Sequence, residues 1–313
     1  MIFIMPSRLI LYGLASIYFV LIAASLVSLT LSRSDNEKYR ELILRVKTWW
    51  WIVIALSLTF VLSTIPATLL IGLISFGAFK EYLSLIPTRR ADHRVLFWAY
   101  MAIPLQYYWA ATGWYGLFSI FIPVYVLLWL AFRAVLTSET KNFIKAMGIL
   151  YWGLMLTVYN LSHLAFLFVL PLSKPTETLG AGLVFYLLVL TSLNDVFQYI
   201  WGKGFGRRKV VPAVSPGKTW AGLLGGIATT ALLAIILAPL YTPFDRVHAL
   251  IIGLMMGIAG FAGDVTMSAV KRDLGIKDTG NTLPGHGGFL DRLDSLTFTA
   301  PIFFHFTRYF YSP

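Results

Sequence analysis

The sequence predicts an all-α, polytopic integral membrane protein with about ten transmembrane helices. Three observations carry that prediction. Of the 313 residues, 58% are hydrophobic and only 12% are charged, and the mean hydropathy is +0.75. A water-soluble domain carries roughly 25% charged residues, so this chain has too little polar side chain to cover a globule in water. Apolar stretches long enough to cross a hydrocarbon core about 30 Å thick, which takes roughly 20 residues at 1.5 Å each, recur along the whole chain. Finally, the basic residues alternate between crowded and nearly empty loops, the pattern that the positive-inside rule produces.

The first span, 9–31, follows Arg8. Ala23 and Ala24 resemble a signal-cleavage site, but the apolar run is longer than the 7 to 15 residues of a signal h-region, so it is read as an uncleaved span. The second, 49–64, opens on Trp49, Trp50 and Trp51, aromatics of the kind that sit at a membrane interface. The third, 67–86, is set off from it by Pro66. The length from Trp49 to Ile86 favours two spans, and one kinked segment there would leave nine in all. The fourth, 95–111, is broken by Pro104, and spans at 114–136, 143–170, 179–201, 219–240, 248–270 and 294–311 complete the set.

Twenty-five Lys and Arg against fourteen Asp and Glu give a net charge of +11. In the ten-span arrangement Arg33, Lys38, Arg40, Arg45 and Lys47 share a side with Lys80, Arg89, Arg90 and Arg94, and with Arg133, Lys141 and Lys145. The same side takes Lys203, Arg207, Arg208, Lys209, Lys218, Lys271, Arg272, Lys277 and Arg292. Only Arg8, Lys174, Arg246 and Arg308 fall on the other side. The crowded side is therefore expected to be cytoplasmic, with both termini facing outward. Cysteine is absent, which excludes disulfides, thiolate metal sites and a cysteine nucleophile. The chain reads as one continuous membrane domain, with 1–178 as embedding and lipid-access helices and 179–313 as the region that carries chemistry.

Chemistry concentrates between Ser268 and Asp294. Asp264, Ser268, Lys271 and Arg272 are spaced i, i+4, i+7 and i+8, so on a helix they share one face. That face must meet protein or water, because lipid does not tolerate it. Glycines at 275, 280, 285, 287 and 288 then permit tight turns and close approach of backbone amides to a ligand. The chain re-enters the membrane through Asp291, Arg292, Asp294 and Ser295. Asp264 and Asp291 are candidates to share a divalent ion, and Lys271, Arg272, Lys277 and Arg292 to hold phosphate oxygens. Magnesium uses one or two carboxylates together with substrate phosphates and water. The competing explanation is structural ion pairing of Asp264 with Lys271 or Arg272 and of Asp291 with Arg292 or Lys277. His286 fits a turn-fixing hydrogen bond as well as a phosphate contact.

A second constellation runs from Asn194 to Gly222. Asp195 lies one helical turn before Tyr199, and a glycine-rich basic loop follows: Gly202, Lys203, Gly204, Gly206, Arg207, Arg208 and Lys209. Ser215, Lys218 and Thr219 then stand at the start of the eighth span. A helix N-terminus with free amides, a lysine and hydroxyls is suited to an anion; an ordinary basic loop with a helix cap explains the same residues equally well.

The run Ser268, Lys271, Arg272, Lys277, Asp278, Gly280, Pro284, His286, Gly287, Gly288, Phe289, Asp291, Arg292, Asp294 resembles the signature of the phosphatidate cytidylyltransferases (CDP-diacylglycerol synthases) without a departure. A looser likeness extends back to Asp195. There Val196, Phe197, Gln198, Gly217 and Ala221 depart from the family pattern and mark a divergent branch. The resemblance implies transfer of a cytidylyl group from CTP to phosphatidic acid, in a bacterial inner membrane, with Mg2+ as cofactor and a second cation left open. It implies metal ligation by Asp264 and Asp291 with Asp195 and Asp294. Lys271, Arg272, Lys277, Asp278 and Arg292 would be catalytic; Ser215, Lys218, Thr219, Ser268, His286, Gly287 and Gly288 would contact substrate. Membrane lipid is an expected partner and nucleic acid is not; a homodimer stays open. A CTP-dependent kinase of a polyprenol or phytol, a membrane transporter and a catalytically silent scaffold are the alternatives.

Overall fold

A computed structural model of the chain describes residues 6–34, 36–86, 93–174, 176–280, 282, 285 and 287–313. Ten long helices run through them: α1 (Arg8–Ser34), α2 (Asn36–Val61), α3 (Thr64–Leu85), α4 (His93–Thr112), α5 (Tyr115–Val135), α6 (Phe143–Leu167), α7 (Leu179–Phe205), α8 (Trp220–Tyr241), α9 (Arg246–Asp273) and α10 (Leu290–Tyr311). Eight are long and apolar enough to cross a membrane. The other two, α4 and α10, are long enough but more polar: α4 holds Gln106 and several tyrosines, and α10 opens on Asp291, Arg292 and Asp294. Each helix corresponds to one of the expected spans.

Local sequence explains the boundaries. Between α2 and α3 only Leu62 and Ser63 are non-helical, and Pro66 falls in the first turn of α3, where its missing N–H costs nothing. Two spans, and not one kinked one, therefore cover Trp49 to Ile86. Pro104 does not break α4, which runs on through it to Thr112. α5 and α6 each contain a π-helical stretch, Phe121–Val126 and Met155–Tyr159. α9 starts on Asp245, whose Oδ1 accepts from the amides of Val247 at 2.9 Å and His248 at 2.8 Å.

In lipid, helices are held by close packing of small residues and by interhelical hydrogen bonds, not by the hydrophobic effect. The C-terminal helices show both. A Cβ at Gly253 of α9 would lie 2.6 Å from the Ala234 Cβ of α8, so the two helices touch at a distance that only glycine allows. Thr191 of α7 and Thr299 of α10 pair at 2.9 Å. The buried Asn194 amide accepts from Thr230 of α8 at 3.1 Å and donates to the Gly257 carbonyl of α9 at 3.4 Å. α7 to α10 thus form one polar-stitched unit. α10 packs in addition against α6 and α3, and one apolar core extends from Ile10 to Tyr311.

The bundle has two distinct ends. Leu9, Ser173, Thr178, Tyr241, Asp245 and Tyr311 meet at one, joined by bonds such as Ser173 N–H to the Tyr311 carbonyl at 2.9 Å. Glu81, Lys218, Arg272, Thr279 and Asp291 meet at the other.

Candidate active site

The end of the bundle that carries the signature holds two adjoining polar clusters. The first lies among α7, α9, α10 and the loop before α8. Asp264 forms an ion pair with Lys218, which arrives on the loop before α8, and accepts from the Ser268 hydroxyl at 3.5 Å. Asp195 accepts from the Ser295 hydroxyl at 3.1 Å. Asp294 Oδ1 accepts from the Ser295 amide at 2.8 Å, and the Ser295 hydroxyl also reaches the Gly260 carbonyl of α9 at 3.2 Å, so this turn of α10 lies against α9. Lys218 also donates to Oε1 of the Gln198 side chain at 3.4 Å.

The loop between α7 and α8 sets this arrangement. It doubles back on itself through Val210 N–H to the Lys218 carbonyl (3.1 Å) and Trp220 N–H to the Arg208 carbonyl (3.0 Å). Lys218 is thereby fixed over α9, while Thr219 becomes the N-cap of α8, its hydroxyl accepting from Gly222 N–H at 3.1 Å. Arg272 pins this loop to the one after α9, donating to the carbonyls of Val214 and Ile276, each at 3.3 Å.

The second cluster lies where the signature loop turns into α10. Asp291 is nearly buried. Its Oδ1 takes Lys271 Nζ at 2.7 Å, and its Oδ2 accepts from the Thr279 amide at 2.8 Å, the Thr279 hydroxyl at 2.9 Å and the Gly288 amide at 3.0 Å. Gly287 has φ +82°, a conformation that L side chains rarely adopt, and a Cβ there would also collide with Asp291 Oδ2. On the far side of Thr279 stands Glu81 of α3, which also takes the amides of Phe289 and Leu290.

The structure therefore regroups the expected site. Asp264 pairs with Lys218, while Asp291 pairs with Lys271 through Oδ1 and takes Thr279 and Gly288 through Oδ2, so the two carboxylates expected to share an ion stand in different clusters. The Gly288 amide is given to Asp291 and is not left for a substrate phosphate, whereas the Thr219 hydroxyl accepts as a helix cap and keeps its own proton to donate. Ser268 touches Asp264. Ser215 is half-buried, and its carbonyl accepts from Lys218 N–H at 3.1 Å. Lys277, Asp278 and Arg292 are exposed beside the two clusters. His286 lies outside the described residues.

Three participants escaped the sequence reading. Glu81 was overlooked beside Lys80, although a lone carboxylate in an apolar span signals a buried polar role. Thr279 sits inside the signature without looking chemical. Gln198, one of the departures from the family pattern, turns out to touch Lys218.

Among the described residues, no three His, Asp or Glu side chains are placed so that together they could hold a metal ion. The donor type is that of a hard cation: Asp264, with the Lys218 ammonium seated on it, and Asp195 and Asp294, both bonded to Ser295, offer carboxylate oxygens from three helices. An open oxygen set completed by phosphate and water is what magnesium takes.

Comparison with known proteins shows the family of the chain. The profile of the Cytidylyltransferase family matches residues 43–310. The chain is 46% identical over 298 residues, 95% of its length and 98% of the relative's, to "Uncharacterized protein YnbB" of Escherichia coli (strain K12). It is 39% identical over 132 residues to the phosphatidate cytidylyltransferase of Haemophilus influenzae and 40% over 126 residues to that of Bacillus subtilis (strain 168). Those two matches span 41% and 40% of this chain and 46% and 47% of the respective relatives.

Proposed function

The chain belongs to the cytidylyltransferase family, and on that premise we propose that it transfers CMP from CTP to phosphatidic acid, giving CDP-diacylglycerol and pyrophosphate. The observation that carries this reading is the grouping, at one end of a helix bundle, of Asp264 paired with Lys218, Asp195 bonded to Ser295 and Asp291 paired with Lys271, where a soluble nucleotide can meet a lipid phosphate. The names of the partial relatives support the lipid substrate. The charge asymmetry supports a cytoplasmic location for this end, with the termini outward.

Phosphatidate is already an anionic oxygen nucleophile, so the site needs no strong base and no covalent intermediate. One phosphatidate oxygen forms a bond to the α-phosphorus of CTP, the bond from that phosphorus to the bridging oxygen breaks, and pyrophosphate carries off the electron pair. What the protein must supply is alignment of two anions and cover for the charge that builds on the leaving group. Asp264, with Asp195 and Asp294 beside it, would hold Mg2+, which when bound neutralises phosphate oxygens. Lys218, Lys277, Arg272 and Arg292 would face the triphosphate and the lipid phosphate. Lys271 and Asp291 fix the turn into α10 and so set where Asp294 stands. Helices α1 to α6 would embed the site and admit the lipid.

The test is incubation of purified protein with CTP, magnesium and phosphatidate, followed by mass analysis of lipid and nucleotide products. CDP-diacylglycerol with pyrophosphate is expected; a phosphorylated lipid alcohol with released CDP from an added polyprenol would replace the reading by a kinase. Asp264→Asn is expected to lower turnover about 100-fold or more, and near-normal turnover with unchanged magnesium dependence would remove Asp264 from the metal site.

A further inference from the structure

Glu81 is the least expected residue in the structure. It belongs to α3, in the half of the chain that carries no signature residue, and its relative exposure is 9%. Its carboxylate accepts four hydrogen bonds from a segment about two hundred positions away in sequence. Oε1 takes the Thr279 hydroxyl at 2.6 Å and the Leu290 amide at 3.1 Å. Oε2 takes the Phe289 amide at 2.9 Å and the Thr282 hydroxyl at 3.3 Å.

Two physical consequences follow. Phe289, the residue before α10, has no side chain able to cap the helix, and the first amides of a helix need acceptors. Glu81 supplies them from another helix, placing negative charge at the positive end of the α10 dipole. The Thr279 hydroxyl also stands between Glu81 Oε1 and Asp291 Oδ2, so Glu81, Thr279, Asp291 and Lys271 form one continuous chain of contacts. A Cβ at Gly288 would collide with Glu81 Oε1 and the Thr279 hydroxyl, which ties the glycine of the signature to the presence of this carboxylate.

We propose that Glu81 is a positioning residue of the active site: it fixes the start of α10, and through it the orientation of Asp291 and the placement of Asp294. The inference rests on the cytidylyltransferase reading for its catalytic consequence and on geometry alone for its structural one. Residues that orient ligating carboxylates typically contribute 10- to 100-fold in metal affinity or activity.

The experiment uses the full-length protein with Glu81→Gln, which keeps the shape but replaces one acceptor by a donor, and Thr279→Val, which cuts only the link between the carboxylates. Three quantities are read: amide hydrogen exchange of the peptide covering residues 287–291, Mn2+ affinity without nucleotide, and kcat against the magnesium requirement. Both variants are expected to weaken Mn2+ binding about 10-fold, to raise the magnesium needed for half-maximal rate and to leave KM for phosphatidate unchanged. Glu81→Gln in addition speeds exchange at Phe289 and Leu290, and Thr279→Ser restores wild-type values. Unchanged exchange together with unchanged Mn2+ affinity in Glu81→Gln would overturn the proposal. So would losses in Thr279→Val that only track a lowered melting temperature. If the wild-type protein forms no CDP-diacylglycerol, the functional reading fails by itself, while exchange and Mn2+ binding still decide the role of Glu81.

Discussion

At the scale of single residues, the site is a matter of which carboxylate meets which cation. Lys271 and Asp291 form an ion pair with side-chain exposures of 14% and 4%, and three further donors complete the carboxylate. Removing one member of such a pair leaves an uncompensated charge, at a cost of about 3 to 5 kcal/mol. Lys271→Met is therefore expected to lower the unfolding free energy in detergent by about that amount, and the double variant with Asp291→Asn to lose less than the sum of the two single ones. Denaturant titration of the four proteins checks both statements; additive losses would mean that the pair does not interact. The sequence announced the residues of this pair but not the pairing. The i, i+7 spacing puts Asp264 and Lys271 on one face of α9, yet which acid Lys271 takes depends on the return of the chain through the turn at Gly287, and no local spacing encodes that.

At the scale of elements, helix ends do most of the positioning, and each is capped differently. α9 uses its own Asp245, α8 uses Thr219, and α10 borrows Glu81 from α3. Thr219→Ala is expected to lower stability by about 1 kcal/mol, with the KM for CTP unchanged and Thr219→Ser close to wild type; a KM raised in Thr219→Ala and normal in Thr219→Ser would make the Thr219 hydroxyl a substrate contact. The helices themselves were legible because apolar runs of twenty residues have few other solutions in a membrane. Pro66 was harder to judge than Pro104, and the outcome was unlike for each: the first lies in the opening turn of α3 and the second inside a helix that continues past it. The borrowed cap was illegible, since Glu81 and the amides that it serves are joined only by tertiary packing.

At the scale of the whole molecule, the packing of the helices brings the basic loop after α7, the loop after α9 and both polar clusters to one end. The chain contains no cysteine, so single cysteines report topology without background. Lys277→Cys is expected to react with an impermeant maleimide only from the cytoplasmic side and Arg246→Cys only from the opposite side; labelling of both from one side would break the arrangement. The bonds from Glu81 to Thr279 and Leu290, which span 198 and 209 positions, also set a clock on biogenesis. A ribosome adds roughly 5 to 20 residues each second, so α3 is made well before its hydrogen-bond donors exist. Until α10 emerges and inserts, a nascent chain carries most of the cations and carboxylates but no finished turn to arrange them. Synthesis of the last helix is thus the step that turns an inserted bundle into a competent site, and a chain stopped short of Leu290 remains a membrane protein without one.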